Sequence, residues 1–419
     1  MNDTGYKKRI LDAVLSEEMK AFGCVVIVGP KMCGKTTTAE KICPSVIHLQ
    51  KKAEYDRCRE IANVDPSVLF EASQYPLLID EWQRIPELWD EARSFIDEKQ
   101  AKGMFIFTGS NSIDEIKIFH SGAGRISRLR MYTMSLYETG DSSGEVSLIR
   151  LFDTKKIPSK RSDADPKDVA AMIVKGGWPG NINMDLPVAR RAVDGYCRTI
   201  TESDVNIDGE RKHDPQKMTK LLRSLSKNES TEATSESILK DVINDGDRMN
   251  IKTLYDYIST LKKIYVVDNL PAWSPKLRSK TAVRVSDVRH LTDPSIAAYF
   301  LNAGPEDLLR DPNTFGLLFE SLVIRDLRVY SQNFGGNVYH YRDADGLEAD
   351  AVIHTPDGRW AAFEVKLSEH YIEEAAKNLL KLKNKVDSEP EFLAVIIPSG
   401  YSYCRKDGVF VIPITLLGP

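Results

Sequence analysis

The chain carries no long apolar run, and that absence excludes a membrane-spanning helix, which needs about 20 predominantly apolar residues. Its opening, Met1-Asn2-Asp3-Thr4, lacks the basic and apolar blocks of a secretion leader. Cysteine is scarce: six residues, at 24, 33, 43, 58, 197 and 404, form no C-x-x-C pair and no zinc spacing. Without an export signal they are expected to be reduced thiols in a cytoplasmic protein. Excess positive charge is lacking too. Lys and Arg number 57 against 61 Asp and Glu, a formal net charge of −4. Bulk electrostatics therefore cannot coat this chain with nucleic acid, and any such contact must come from local patches. What remains is globular, with 42% hydrophobic and 28% charged residues in 419, enough for two to four domains.

Against these absences one pattern stands out. Gly29-Pro30-Lys31-Met32-Cys33-Gly34-Lys35-Thr36 fits G-x-x-x-x-G-K-[ST] without a mismatch. The preceding Cys24–Val28 is apolar and β-branched, as a buried parallel strand should be, and the residues from Thr37 to Lys41 can continue as a helix. Strand, glycine loop and helix are the context of a P-loop. Its glycines let successive backbone N–H groups face a polyphosphate, Lys35 would reach the β- and γ-phosphates, and Thr36 would bind Mg2+. Cys33, inside the loop, is either an oxidation-sensitive spot or a small filler.

Two further strand tips fit the same site. Leu77–Asp80 is an apolar strand ending in Asp80-Glu81, after a Tyr75-Pro76 break. Asp80 would hold Mg2+ and Glu81 would orient and deprotonate an attacking water. Met104–Thr108 ends in Gly109-Ser110-Asn111, where Ser110 could sense the γ-phosphate or the water; the same triplet is also ordinary turn chemistry.

The rest of the chain divides by texture. An amphipathic helix is expected over 7–22, and strands near 25, 46, 77 and 104 alternate with helices in the rhythm of a parallel sheet. Residues 139–168 are rich in Gly, Ser, Asp and Lys and are expected to loop out of the first domain. A helical stretch follows, bearing Gly176-Gly177-Trp178-Pro179 and then Val188–Val205, and 208–235 is read as helix plus linker. Between 236 and 286 the pattern suggests a winged helix: helices Ser237–Ile243 and Asn250 to about Lys263, then strands Ile264–Asp268 and Thr281–Val285. Lys252, Lys262 and Lys263 could then contact phosphates; the alternative is a small packing module. The expected domains are 1–140, 141–235, 236–300 and 305–419.

The last segment holds a second candidate site. Phe315–Tyr330 forms an apolar helix that carries Glu320, a carboxylate costly to bury unless a cation meets it. Glu348–Ile353 and Trp360–Lys366 read as a hairpin around Thr355-Pro356-Asp357-Gly358, suited to a type I turn. If Thr355 pairs with Arg359, Asp350 lies opposite Glu364, with Glu364 and Lys366 on one face and Phe363 and Val365 on the other. Facing carboxylates repel unless a divalent cation sits between them, and a nearby lysine can orient a water. Glu320, Asp350, Glu364 and Lys366 thus make the constellation of the PD-(D/E)xK nucleases, with Mg2+ or Mn2+ as the metal. The alternatives are a surface hairpin or a nuclease fold without activity. A helix Glu369–Val386 and a strand Phe392–Pro398 are expected beyond it. Asn384-Lys385-Val386-Asp387 matches the guanine-reading N-K-x-D, but it falls in that late helix, so ATP is the expected nucleotide.

Taken together these motifs resemble a widespread prokaryotic family of AAA-type ATPases with a C-terminal domain of restriction-endonuclease-like fold. The family's loop commonly reads G-P-R-Q-x-G-K-T, so Lys31 and Met32 depart from it. Asp80-Glu81, Thr108-Gly109-Ser110, Gly124-Arg125, Ser135–Glu138, Gly176–Pro179 and Glu364-Val365-Lys366 are similar to its further motifs. The resemblance implies that Arg125 is an arginine finger or sensor, acting in cis or across a homo-oligomer interface, with Arg128 as the second choice. The expected fold is α/β: a P-loop sheet, a winged-helix-like module and a nuclease-like domain. The expected activity is Mg2+-dependent ATP hydrolysis by a switch acting on, or regulated by, DNA. The alternatives are an ATP-gated metal-dependent nuclease, or a nucleotide-controlled DNA- or protein-binding regulator with little turnover.

Overall fold

The structure is a computed structural model that describes residues 5–110, 122–202, 213–243, 249–275 and 286–419. Asn111 and the strand expected at Thr281–Val285 lie outside the described residues. The chain condenses into two compact units: Met1–Tyr132 with Lys263–Tyr265, and Thr133–Lys262 with Val266–Pro419.

The first unit is built on five parallel strands. They are β1 (Cys24–Val28), β2 (Ser45–His48), β3 (Leu77–Asp80), β4 (Phe105–Gly109) and β5 (Ile126–Arg130), in the order β2-β3-β4-β1-β5. Strand alternation sorts the apolar side chains to two faces. Val26, Leu77, Ile79, Phe105 and Phe107 meet Trp82, Trp89, Phe70 and Phe95 on one side. Val25, Ile27, Leu78, Ile106 and Leu129 meet Leu11 and Leu15 of the helix Leu11–Ala21 on the other. Burial on both faces explains why β1, β3 and β4 read as unbroken apolar runs. β5 was not legible in that way, because Ile126-Ser-Arg-Leu-Arg130 is a half-exposed edge strand with alternating polarity.

The second unit joins helices to a mixed six-stranded sheet. A short β6 (Val146–Ser147) precedes β7 (Asn337–Arg342), β8 (Glu348–His354), β9 (Trp360–Val365), β10 (Phe392–Ile397), β11 (Tyr403–Cys404), β12 (Phe410–Pro413) and β13 (Leu417–Gly418). The sheet order is β11-β12-β10-β9-β8-β7, and β6 pairs with β13. The helix Ile372–Lys385 crosses between the parallel strands β9 and β10 and buries Ala375, Ala376, Leu379 and Leu382 against Val352, Ala362 and Val395. The helix Pro312–Gln332 lies against β7, β8 and β9.

Several expectations shift. The loop drawn over 139–168 contains β6 and the helix Leu148–Thr154, whose Leu148, Leu151 and Phe152 are buried. The two helices of the winged-helix reading are present, Ser235–Ile243 and Ile251–Lys263, and Asn250 Oδ1 caps the second by accepting from the Thr253 N–H at 2.8 Å. The strand expected at Ile264–Asp268 is instead a ribbon of isolated antiparallel bridges, Val267 with Leu291 and Leu270 with Val288.

Candidate nucleotide site

The P-loop joins β1 to the helix Lys35–Glu40, and its backbone is shaped by what stands around it. A Cβ on Gly29 would lie 2.2 Å from the Met131 carbonyl oxygen, so only glycine fits where the loop leaves the sheet. Gly34 caps the helix with φ 104°, a left-handed conformation that favours glycine. Lys35 is buried, and its Nζ donates to the carbonyls of Gly29 at 3.0 Å and Pro30 at 2.8 Å, which holds the ammonium at the mouth of the loop. The buried Arg9 donates to the Cys33 carbonyl at 2.7 Å and the Tyr132 carbonyl at 2.9 Å, tying the loop to the chain beyond β5. Cys33 is wholly buried, with Sγ 3.8 Å from the Met131 oxygen, which favours the filler reading. Met32 and Thr37 point to solvent, and Lys31 is partly exposed.

Strand register delivers the carboxylates. Because β4 lies between β1 and β3, the tips of all three strands come side by side beneath the loop. Asp80, 3% exposed, accepts at Oδ1 from the Thr36 hydroxyl at 2.7 Å and from the Thr108 hydroxyl at 2.7 Å. His48, its register partner on β2, stands with Nδ1 3.7 Å from Asp80 Oδ2 and Nε2 3.5 Å from Glu40. Glu81 has φ 56° and ψ 46°, a left-handed backbone that lifts its side chain off the strand line. Its Oε1 accepts from the Ser110 hydroxyl at 2.8 Å and from Gln50 Nε2 at 3.4 Å. The structure thus gathers Lys35, Thr36, Asp80, Glu81 and Ser110 in one place. Sequence reasoning missed the supporting His48, Gln50 and Arg9, and named Thr108 only as part of a motif, without its bond to Asp80. The pairing of Thr108 with Asp80 was the only findable signal, since both are the polar ends of apolar strands.

The donor set suits Mg2+. One hydroxyl and one carboxylate already converge at hydrogen-bond distance, and Mg2+ keeps several waters while taking one or two carboxylates and the substrate's phosphates.

Arg125 does not join this group within its own domain. It precedes β5 beside Gly23 and Cys24, whose N–H groups donate to its carbonyl, at the strand edge opposite the loop. The length of β1 separates it from the P-loop, roughly 16 Å at the usual rise of a parallel strand. Its half-exposed guanidinium is paired to Asp97 at 2.7 Å. Arg128 lies over the Trp89 ring at 5.8 Å, and Arg130, the residue at the loop end of β5, over Tyr132 at 5.0 Å.

In the second unit the hairpin register is as the turn dictates. The Thr355 N–H donates to the Arg359 carbonyl at 2.9 Å, Gly358 takes φ 86°, and Ala351 pairs with Phe363, which sets Asp350 opposite Glu364. Lys366 Nζ is 2.5 Å from Glu364 Oε2 and 3.4 Å from Asp350 Oδ2, while Asp350 also accepts the Val365 N–H at 2.6 Å. Burial first, then the Asp350 charge, pushes Glu364 up to about 8, and burial together with Asp350 drives Glu320 well above the carboxylate range. The expected second Mg2+ or Mn2+ finds no ready cage. Among the described residues no three His, Cys, Asp or Glu side chains converge as metal ligands, and the Lys366 ammonium bridges the two carboxylates.

The motifs Ser135–Glu138 and Gly176–Pro179 serve packing. Ser135 and Glu138 form a reciprocal capping box. Asp293 accepts from the Gly177 N–H at 2.9 Å, the Thr133 hydroxyl at 2.8 Å and Arg325 at 3.2 Å. Arg325 also grips Asp326 at 2.7 Å, and Asp326 accepts the Leu136 N–H at 3.0 Å. The arginine and both aspartates are buried.

Sheet order, glycine loop and paired strand-end carboxylates define the N-terminal part as an AAA-type P-loop ATPase domain. Comparison with known families agrees: the family model described as "AAA domain" matches residues 21–140. Two models described as domains of unknown function match 166–307 (DUF8612) and 315–417 (DUF4143). Along nearly its whole length the chain is similar to two mycobacterial proteins, each named only as uncharacterized, Mb2031c of Mycobacterium bovis and Rv2008c of Mycobacterium tuberculosis. Each is 23% identical over 97% of this chain and 83% of its own length. Among solved structures, the Walker-type ATPase PABY2304 of Pyrococcus abyssi aligns with 71% of this chain and 96% of its own at 14% identity, TM-score 0.45.

Proposed function

We propose that the chain is a Mg2+-dependent ATPase whose nucleotide state governs what its C-terminal unit does on DNA. The observation that carries the reading is the pair of hydrogen-bonded contacts at the strand tips, Thr36 with Asp80 and Ser110 with Glu81. Lys35 and the loop N–H groups hold the β- and γ-phosphates and neutralise charge as the terminal bond breaks. Mg2+, bound by Thr36 and Asp80, would add charge against the phosphate oxygens. Glu81 takes a proton from the water that forms the new bond to the γ-phosphorus, and the bridging oxygen departs with ADP. Ser110, at the tip of β4, can donate either to Glu81 or to a phosphate oxygen, the property a sensor needs. Arg125 would complete the site of a second copy.

The test is an ATPase assay on the full chain, alone and with single- or double-stranded DNA. Lys35→Ala is expected to abolish nucleotide binding. Glu81→Gln should bind ATP with parental affinity while turnover falls by roughly a hundredfold or more. Turnover by Glu81→Gln equal to the parent's would reject its role as base. Stimulation by one DNA form would identify the partner, and a DNA gel shift indifferent to nucleotide would favour the low-turnover regulator.

A second reading has its own support. Asp350, Glu364 and Lys366 stand together at one hairpin with Glu320 close enough to be raised by their charges, as a nuclease would require. Incubation of DNA with Mn2+ should give cleavage that Lys366→Ala removes; equal cleavage, or none, by both proteins rejects it.

A further inference from the structure

The short turn Trp82–Arg84 that leaves β3 carries a side chain with no task so far, Gln83. Its Nε2 donates to Glu81 Oε2 in a very close contact. Its Oε1 is buried without a donor, so among the described residues the carboxamide has a single hydrogen-bond partner, and that partner is Glu81. The orientation of the amide is fixed by chemistry: a carboxylate accepts from N–H and repels C=O. Its position is fixed by packing. A Cβ on Gly109 would lie 2.7 Å from Gln83 Oε1, so the bare Cα at the tip of β4 leaves room for the amide. The turn itself is anchored by Trp82, which stacks on Trp89 at 4.6 Å and meets Phe107 at 5.6 Å.

Both oxygens of Glu81 are therefore held, but by unlike groups. Oε1 takes the Ser110 hydroxyl, which can turn to another acceptor, and at 3.4 Å the exposed Gln50 amide, whereas Oε2 takes in close contact an amide that has no other hydrogen-bond partner among the described residues. An oxygen that must receive a proton from water has to be released when substrate engages, while the carboxylate as a whole stays aimed. We propose that Gln83 is a positioning residue for hydrolysis: it pins Oε2 of Glu81 so that Oε1, once Ser110 turns away and the long contact to Gln50 yields, faces the water. A neutral amide suits the task, because a cation there would hold the carboxylate's charge and weaken it as a base. This inference rests on the ATPase reading above.

The experiment compares Gln83→Met, which keeps length and apolar bulk, and Gln83→Glu with the parent, as full chains. Melting temperature, affinity for a fluorescent ATP analogue with Mg2+, kcat, KM and the pH profile of kcat are measured. Gln83→Met is expected to lower kcat roughly tenfold or more with nucleotide affinity within threefold of the parent's. Gln83→Glu places a second carboxylate beside Glu81, and the acidic limb of its kcat profile should move up by about one pH unit or more. A residue that only packs would leave the kcat of folded Gln83→Met at the parental value, and that result by itself overturns the inference, since any carboxylate placed here would move the limb. If both variants match the parent in kcat and in the acidic limb while Glu81→Gln abolishes turnover, this inference alone fails. If the parent itself shows no turnover, the ATPase reading fails and takes this one with it.

Discussion

His340 sits at 3% exposure on β7, its Nε2–H donating to the Ser286 carbonyl at 3.1 Å. Burial lowers its pKa from the ordinary imidazole value of 6.5, so the folded protein holds it neutral where the unfolded chain would begin to protonate. A depressed folded-state value contributes stability above 6.5 that is lost as pH falls through the folded-state value. Denaturant titrations from pH 7 to pH 5 are expected to show the parent losing more unfolding free energy than His340→Gln. Parallel losses would show that this imidazole does not report on the fold. The nucleotide site follows a similar rule at the residue scale. Asp80 is buried and tolerated because two hydroxyls donate to it, and the same two hydroxyls aim it.

Among the elements, the helix Pro312–Gln332, the longest among the described residues, carries the buried Arg325–Asp326 pair, and the segments 133–138 and 176–179 close over it. Gly177 is required there by contact: an added Cβ would lie 2.1 Å from the Met134 carbonyl oxygen and 2.9 Å from Arg325. Gly177→Ala should therefore cost about 1–3 kcal/mol of stability, read from the urea midpoint, with ATP affinity unchanged. An unshifted midpoint would mean the segments can part freely. The Gly177 N–H in this motif serves an internal carboxylate, Asp293. The hairpin of β8 and β9 behaved differently. Its turn residues set the pairing of Thr355 with Arg359, and the position of Asp350 opposite Glu364 followed by counting.

For the whole molecule, a net charge of −4 limits how DNA can be engaged. Lys252, Lys262 and Lys263 are exposed along the helix Ile251–Lys263, and if DNA stimulates turnover, that stimulation is expected to fall with rising salt as phosphate contacts are screened. The first unit was legible strand by strand up to β4. Its fifth strand was not, since Ser127, Arg128 and Arg130 interrupt the apolar pattern at a sheet edge. In the second unit β7, β11 and β12 escaped notice because their own signals are weak: β7 mixes polar residues into its run, Asn337-Val-Tyr-His-Tyr-Arg342, β11 is two exposed residues and β12 a run of four.

Local chemistry in the sequence determined the glycine loop, the acidic ends of the apolar strands and the hairpin register, because spacing and turn geometry act over a few residues. Tertiary structure alone decided the rest. The strand order, with β4 between β1 and β3, brought Thr108 and Ser110 to the two carboxylates and opened Gly109 to Gln83. The tertiary fold set Arg125 at the end of the strands opposite the loop and seated Lys366 between Asp350 and Glu364. Which polar groups meet at a strand end depends on the lateral order of strands, and no spacing along the chain encodes that order.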